Sequence, residues 1–152
     1  MKAILVAALG LMASPALAQP EFSIDPSKVY VTTPETCQAL EKDGADALSD
    51  ANISVMTFAG GIQSLEHRCE FFEVKTHPTN RSFFASAICE GLDEIYPDTF
   101  AITPYDDKTI QVVSSYDAMM QVSGTYEPTS PIGNPGAVLY HRCDNLSEIP
   151  VD

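Results

Sequence analysis

The sequence predicts a mainly β fold, a small antiparallel sheet that curls into a barrel or a sandwich, with one short N-terminal helix and two disulfides. Three observations predict it. Short segments rich in aromatic and β-branched residues alternate with turn formers, as in antiparallel strands. One hairpin can be placed by its turn sequence. The four cysteines form an even set, which indicates two disulfides in an oxidising compartment.

The N-terminal residues have the pattern of a secretory signal peptide. Lys2 precedes an apolar run at residues 3–12, and small residues at positions 16–18 suit a cleavage site. This run is half of the ~20 residues that a membrane-spanning helix needs. We therefore expect residues 1–18 to be removed, leaving residues 19–152 as a single disulfide-stabilised β-rich domain. Such a protein would be soluble and periplasmic or secreted, without a membrane span.

The first element expected in the mature chain is the short helix. The Thr-Thr-Pro sequence at residues 32–34 is typical of a helix start, and Gly44 is placed to end it. The helix would carry Cys37 and Leu40 inward. Outside the hairpin, further strands are expected at residues 53–58, 99–103, 109–113 and 137–143.

The hairpin has its arms at residues 69–75 and 82–89. Between them, Pro78 presets the first central position of a type I turn. Asn80 tolerates the left-handed conformation that completes a three-residue loop. With this loop, the numbers of directly paired residues sum to 158.

This register pairs the cysteines. Cys69 and Cys89 face each other and are predicted to form a cross-strand disulfide. Cys37 and Cys143 then join the beginning and the end of the domain. The loop-entropy model gives ~3 kcal/mol for the first disulfide and ~4.7 kcal/mol for the second. The same register places Phe71 opposite Ala87, and Val74 opposite Phe84.

Both faces of the hairpin carry apolar side chains, so we expect other parts of the protein to cover each of them. One face holds Cys69, Phe71, Ala85 and Ala87, and the other holds Phe72, Val74, Phe84 and Ile88.

The charge balance restricts the partners. The chain has 8 basic and 21 acidic residues and a net charge of -13. The predicted cleavage removes one Lys and no acid, which leaves 7 basic and 21 acidic residues and a charge of -14. Nucleic-acid binding requires a cationic face, so DNA and RNA are excluded as expected partners. A basic protein is the partner that this charge favours.

A proline-rich loop at residues 124–136 is the candidate partner-binding segment, because long loops in compact domains are often functional. The candidate contact residues are Tyr126, Pro128, Pro131 and Asn134. The sequence of residues 123–126, Ser-Gly-Thr-Tyr, resembles the Ser-Gly-x-x-Tyr element of bacterial c-type lysozyme inhibitors, with the Tyr one residue early. The Trp and Lys-Gly that follow in that family are missing. The resemblance covers four residues and identifies no family, and it implies Tyr126 and its loop as the contact.

An internal repeat raises the question of a metal site. The pattern Leu-x-His-Arg-Cys-acid occurs at residues 65–70 and 139–144. On neighbouring strands, His67, Cys69, His141 and Cys143 would form a tetrahedral zinc set. An oxidising compartment and the pairing of Cys69 with Cys89 oppose this hypothesis, so no metal is expected.

Four carboxylates, those of Glu90, Asp93, Glu94 and Asp98, follow the second arm of the hairpin. Their spacing is not that of an EF-hand, and we interpret the segment as a solvated acidic loop.

The sequence contains no Gly-x-Ser-x-Gly elbow and no Gly-rich phosphate loop, so we expect no enzyme and no cofactor. Three functions stay open. The first is a non-enzymatic interaction or structural module of the cell envelope, and the second is an inhibitor of a cationic secreted hydrolase such as lysozyme. The third is binding of a small apolar ligand inside a barrel. For the third, the test is whether Phe58, Phe72, Phe84 and Tyr116 fill the interior or line a cavity.

Overall fold

A computed structural model describes residues 22–49, 53–78, 81–91, 93–127 and 132–147 of the chain. Eight antiparallel strands form a closed barrel, so the barrel is confirmed over the sandwich. The strands are β1 (Lys28–Val31), β2 (Val55–Thr57), β3 (Gly61–Gln63), β4 (Arg68–Thr76), β5 (Phe83–Glu90), β6 (Ile95–Pro104), β7 (Thr109–Ser114) and β8 (Ala137–Ser147). The helices are α1 (Pro34–Asp43), a 3-10 helix (Gly44–Ser49) and α2 (Ser115–Val122).

The barrel closes because its first strand pairs on both sides. Val31 of β1 lies opposite Val55 of β2 and opposite His141 of β8. Every other neighbouring pair is consecutive in the chain. The strands therefore run up and down, and successive connections lie at alternate ends of the barrel.

The barrel interior is filled by side chains that alternate along each strand. Phe58 lies between Tyr30 and Phe83, with ring centroids 6.1 and 4.6 Å away. Phe71 and Phe100 meet at 5.5 Å. All five residues are buried in one core cluster. This packing gives the barrel a stabilising interior.

The predicted N-terminal helix is confirmed and lies outside the barrel. Thr33 is its N-cap, and Gly44 follows its last residue with φ +60°, a conformation that glycine adopts without a steric penalty. A second core cluster, with Val29, Val31 and Leu40 among its members, joins α1 to β1. The helix is also tied to β8 by the Cys37–Cys143 disulfide, which confirms that pairing.

The predicted hairpin is β4 and β5, with the Cys69–Cys89 disulfide between directly opposed residues. Phe71 lies opposite Ala87, as predicted. The register then shifts at Phe72, where a β-bulge adds one residue to β4. Val74 consequently pairs with Ala85, and its predicted pairing with Phe84 is wrong. Residues 79 and 80 of the predicted turn lie outside the described residues.

One face of this hairpin is covered and the other is exposed. Ala85 and Ala87 are fully buried in the barrel, whereas Phe72 is 67%, Phe84 46% and Ile88 43% exposed. The expectation that both faces are covered is therefore wrong for the described part of the chain. The apolar residues on the outer face belong to the barrel wall.

The other expected strands are present with different limits. β6 begins at Ile95, inside the segment interpreted as an acidic loop, and β8 extends to Ser147. β1, β3 and α2 were not expected from the sequence. Within the described residues, no helix has the length and apolar character needed to cross a membrane. The predicted signal peptide lies outside the described residues.

Candidate functional site

Three connections meet at one end of the barrel, because antiparallel strands alternate in direction. They link β3 to β4, β5 to β6, and β7 to β8. Between them lies a cavity of about 580 Å³, within the ~300–1,000 Å³ range of small-molecule sites. We call this end the mouth and define it by the residues that line the cavity, namely Glu66, His67, Gly91, Asp93, Glu94, Tyr96, Asp117 and Tyr126.

A buried carboxylate positions the helix that forms one wall of the mouth. Asp98 of β6 is 6% exposed. Its Oδ1 accepts hydrogen bonds from the backbone N–H of Thr99 and Tyr116, at 2.7 and 2.9 Å, and from the Ser115 hydroxyl at 2.8 Å. Its Oδ2 accepts from the Ser114 hydroxyl. Asp98 therefore fixes the first turn of α2 to the sheet, and its interpretation as part of a solvated loop is wrong.

Ser114 caps α2, since its Oγ accepts a hydrogen bond from the backbone N–H of Asp117 at 2.9 Å. The Ser-x-x-Asp spacing at residues 114–117 was the available sequence signal for this helix. β7 ends at that serine, and no helix or strand was expected at residues 115–122.

Three rings form a stack along the mouth. The Tyr96 ring lies 3.9 Å from that of Tyr116 and 6.2 Å from that of His67, with interplanar angles of 23° and 26°. The Tyr96 hydroxyl is 2.8 Å from His67 Nε2, within hydrogen-bonding distance. Tyr116 donates to the Glu94 carboxylate at 3.1 and 3.2 Å. These contacts fix the stack between the β3–β4 connection, β6 and α2.

The tyrosine hydroxyls of this stack stay protonated at neutral pH. Desolvation, followed by the charges of Asp117 and Asp98, raises the pKa of Tyr96. Desolvation, followed by the hydrogen bond to Glu94, raises the pKa of Tyr116 to about 12. A raised pKa opposes use of a tyrosinate as a base or nucleophile. The stack therefore offers ring surfaces and neutral hydroxyls.

The turn after α2 brings the predicted loop to the mouth. Gly124 has φ +78°, and the backbone N–H groups of Thr125 and Tyr126 donate to the Met120 carbonyl at 2.9 and 3.2 Å. Tyr126 lines the cavity and is 40% exposed. Asn134 is exposed and does not line it, and its carbonyl accepts from Ala137 N–H at 3.2 Å. Pro128 and Pro131 lie outside the described residues.

A smaller void of about 100 Å³ is also lined by His67 and Asp117. The buried hydroxyl of Tyr140 and that of Ser54, 3.1 Å apart, lie on its wall. Its volume is below the range of small-molecule sites. Four aromatic residues were expected to show whether the barrel interior is filled or holds a ligand cavity. Of these four, only Phe58 lies in the core cluster. Phe72 and Phe84 are exposed and Tyr116 belongs to α2, so these three side chains neither belong to the core cluster nor line this void.

The charges are separated along the barrel. Four carboxylates line the mouth, and no Lys or Arg is among its described lining residues. Arg68 at this end lies in register with Glu90, and both are exposed. At the opposite end, three basic residues contact Asp144. Lys108 Nζ is 2.7 Å and Arg142 Nε 2.9 Å from its carboxylate, and Lys28 Nζ donates to its carbonyl at 2.9 Å. The described lining of the mouth is therefore predominantly acidic.

The two aspartates at opposite ends are expected to affect the pH dependence of stability with opposite signs. Burial, followed by the charge of Asp98, raises the pKa of Asp117. Its ionisation therefore costs the folded state stability as the pH rises above the unfolded value of ~3.9. We expect Asp117→Asn to increase the free energy of unfolding at pH 7 relative to wild type, with a smaller difference at pH 3.5. Urea unfolding at both pH values measures this.

Asp144→Asn is the control for the sign. Hydrogen bonds from Lys108 and then Arg142 lower the pKa of Asp144, so its ionised form stabilises the fold above the unfolded pKa. This variant should lose stability at pH 7, and the loss should shrink as the pH falls. A difference between Asp117→Asn and wild type that decreases with rising pH would contradict the assigned environment of Asp117.

The zinc hypothesis is wrong in its geometry. The first copy of the repeat runs from the β3–β4 connection into β4 and the second lies on β8, and these two strands are not neighbours. His67 Nε2 is 3.6 Å from Cys69 Sγ, but Cys69 and Cys143 are both in disulfides and offer no thiolate. His141 Nδ1 lies instead 3.2 Å from the Thr109 hydroxyl.

No family model, no curated protein and no solved structure matches this chain.

Proposed function

We propose that the protein is an exported, non-enzymatic interaction module that binds a basic protein partner through the mouth of its barrel. The observation that carries the proposal is the lining of the 580 Å³ cavity, in which the described residues include four carboxylates and neither Lys nor Arg. Complementary charge steers encounter and orients partners before contact. We place the module in the periplasm, where its two disulfides would persist.

The groups at the mouth favour binding over catalysis. The raised pKa values of Tyr96 and Tyr116 disfavour their ionisation. His67 is held by the Tyr96 hydroxyl rather than by a nucleophile. The carboxylates of Glu66, Asp93 and Glu94 are exposed, as expected for groups that meet a partner in solution.

Binding of lysozyme, used as a strongly basic probe, tests the proposal. We expect the mature protein to bind lysozyme at low salt, to bind it more weakly at high salt, and not to bind an acidic protein of similar size. The double variant Glu66→Gln/Glu94→Gln should weaken binding roughly fivefold or more, because two charges are removed from the contact. Calorimetric titration measures both effects.

The matched control removes the same charge elsewhere. Asp43 and Asp46 line a separate surface depression beside α1, so Asp43→Asn/Asp46→Asn lowers the net charge equally without changing the mouth. Its binding should stay near that of wild type. Equal weakening by the two double variants would mean that net charge alone drives association, and the mouth would then not be the site.

Inhibition of a cationic hydrolase is the second candidate function. It is favoured because Tyr126, on which the four-residue resemblance ends, lines the mouth. The same titration samples distinguish it from simple binding, since only an inhibitor lowers lysozyme activity at micromolar protein.

A further inference from the structure

We infer that the mouth accommodates the cationic head of one basic side chain, a guanidinium or alkylammonium group that the partner inserts beside Tyr126. The inference rests on the proposed function, because it assigns a ligand to the same cavity. It adds a chemical identity to the group that is recognised, which overall charge attraction does not specify.

The spacing of the acidic groups favours an organic cation over a metal ion. Among the described residues, the one set of three ligand atoms lying within 4.8 Å of one another belongs to His67, Cys69 and Cys89. The carboxylates of the mouth therefore surround the cavity without converging on one point. Calcium needs six to eight oxygens at ~2.3–2.6 Å. A guanidinium carries five N–H donors spread over a planar group, which suits separated acceptors.

The aromatic wall supplies the second part of the recognition. Tyr96 is flanked by His67 and Tyr116, so its ring is already engaged by neighbours. Tyr126 also lines the cavity and is 40% exposed. A cation within ~6 Å of such a ring is attracted by its negative face. Tyr126 is accordingly the ring that we assign to the ligand.

The depth of the cavity strengthens the charge interaction. Asp117 lines both the mouth and the smaller void, and burial raises the pKa of its carboxyl. Desolvation disfavours the ionised form of Asp117, and a bound cation would stabilise that form. The interaction is strengthened because charges interact more strongly away from bulk water. Glu94 is held at the rim by the Tyr116 hydroxyl. The cavity thus combines a partly buried acid, a fixed rim acid and an accessible ring.

Nα-acetyl-argininamide and its neutral isostere Nα-acetyl-citrullinamide provide the test. NMR titration of the mature protein should give shifts at mouth residues, with roughly tenfold tighter binding of the arginine compound. Nα-acetyl-lysinamide, titrated in parallel, distinguishes the guanidinium from the ammonium head. Tyr126→Leu should weaken binding more than Tyr126→Phe, which keeps the ring, and Asp117→Asn should weaken it too. Asp43→Asn, beside α1, is the remote control and should leave the affinity unchanged.

Two results would overturn the inference. One is equal affinity for the arginine and citrulline compounds, with the lysine compound no tighter. The other is wild-type affinity in both Tyr126→Leu and Asp117→Asn. If lysozyme binding nevertheless depends on Glu66 and Glu94, the proposed function stands without the inserted side chain. If lysozyme binding is also absent, both fail.

Discussion

Replacing Cys37 and Cys143 together by alanine is expected to lower the free energy of unfolding by about 4.7 kcal/mol. The disulfide joins residues 106 positions apart, so it restricts the unfolded chain over most of the described sequence. It also holds α1 against β8, where Leu40 and Val31 share a core cluster. Urea unfolding of the oxidised wild type and the double variant measures the change.

The other disulfide provides the comparison. Cys69 and Cys89 are 20 positions apart, and the same model gives ~3 kcal/mol for their loss. Both residues are fully buried in the barrel, so their removal also disturbs packing. If the Cys69→Ala/Cys89→Ala variant loses clearly more stability than the Cys37→Ala/Cys143→Ala variant, interior packing outweighs chain entropy in this protein.

Asp98→Ala is expected to lower the free energy of unfolding by about 3 kcal/mol or more, since buried donors lose their acceptor. The backbone N–H groups of Thr99 and Tyr116 and the hydroxyls of Ser114 and Ser115 all donate to this carboxylate. Loss of the Asp98 carboxylate should also disturb the ring stack, because Tyr116 of this stack lies on α2. Near-ultraviolet circular dichroism of the tyrosines detects that change. Urea unfolding gives the stability change.

A neighbouring acid in the same sequence segment serves as the control. Asp93 is exposed, so Asp93→Ala should change the stability by no more than about 0.5 kcal/mol. Asp98→Asn keeps one acceptor oxygen and should lie between the two alanine variants. If both alanine variants lose the same small amount, then Asp98 does not anchor α2.

The Cys69–Cys89 pairing was predicted correctly, but the loop register used to predict it is wrong by one. Next to the turn, the numbers of paired residues sum to 159, as for Thr76 and Phe83, and the bulge at Phe72 restores the predicted sum of 158 from Phe71 to Cys69. The bulge at Phe72 could not be predicted from the hydrophobic pattern. Because Phe71, Phe72 and Val74 are all apolar, the pattern does not show where the strand has one extra residue. Between the bulge and the turn, the strand register therefore differs by one residue from the predicted register.

The mouth could be predicted only in small part, because its side chains are far apart in the sequence and come together only in the folded barrel. Asp98 looks like one acid among several until β6 places it beneath α2. His67 and Tyr96 are 29 residues apart and come together because β4, which begins directly after His67, and β6 both flank β5. Tyr126 was predicted as a contact residue from its loop, and its lining of the mouth gives that prediction a structural setting.

The Cys37–Cys143 disulfide makes the chain a covalent ring that contains strands β2 to β7. A protease that cuts one connection within this ring opens it without dividing the molecule. The two fragments stay joined by the Cys37–Cys143 disulfide and by the hydrogen bonds of the closed sheet. A nicked protein would therefore migrate as one species until it is reduced, and fragments would appear only with thiol present.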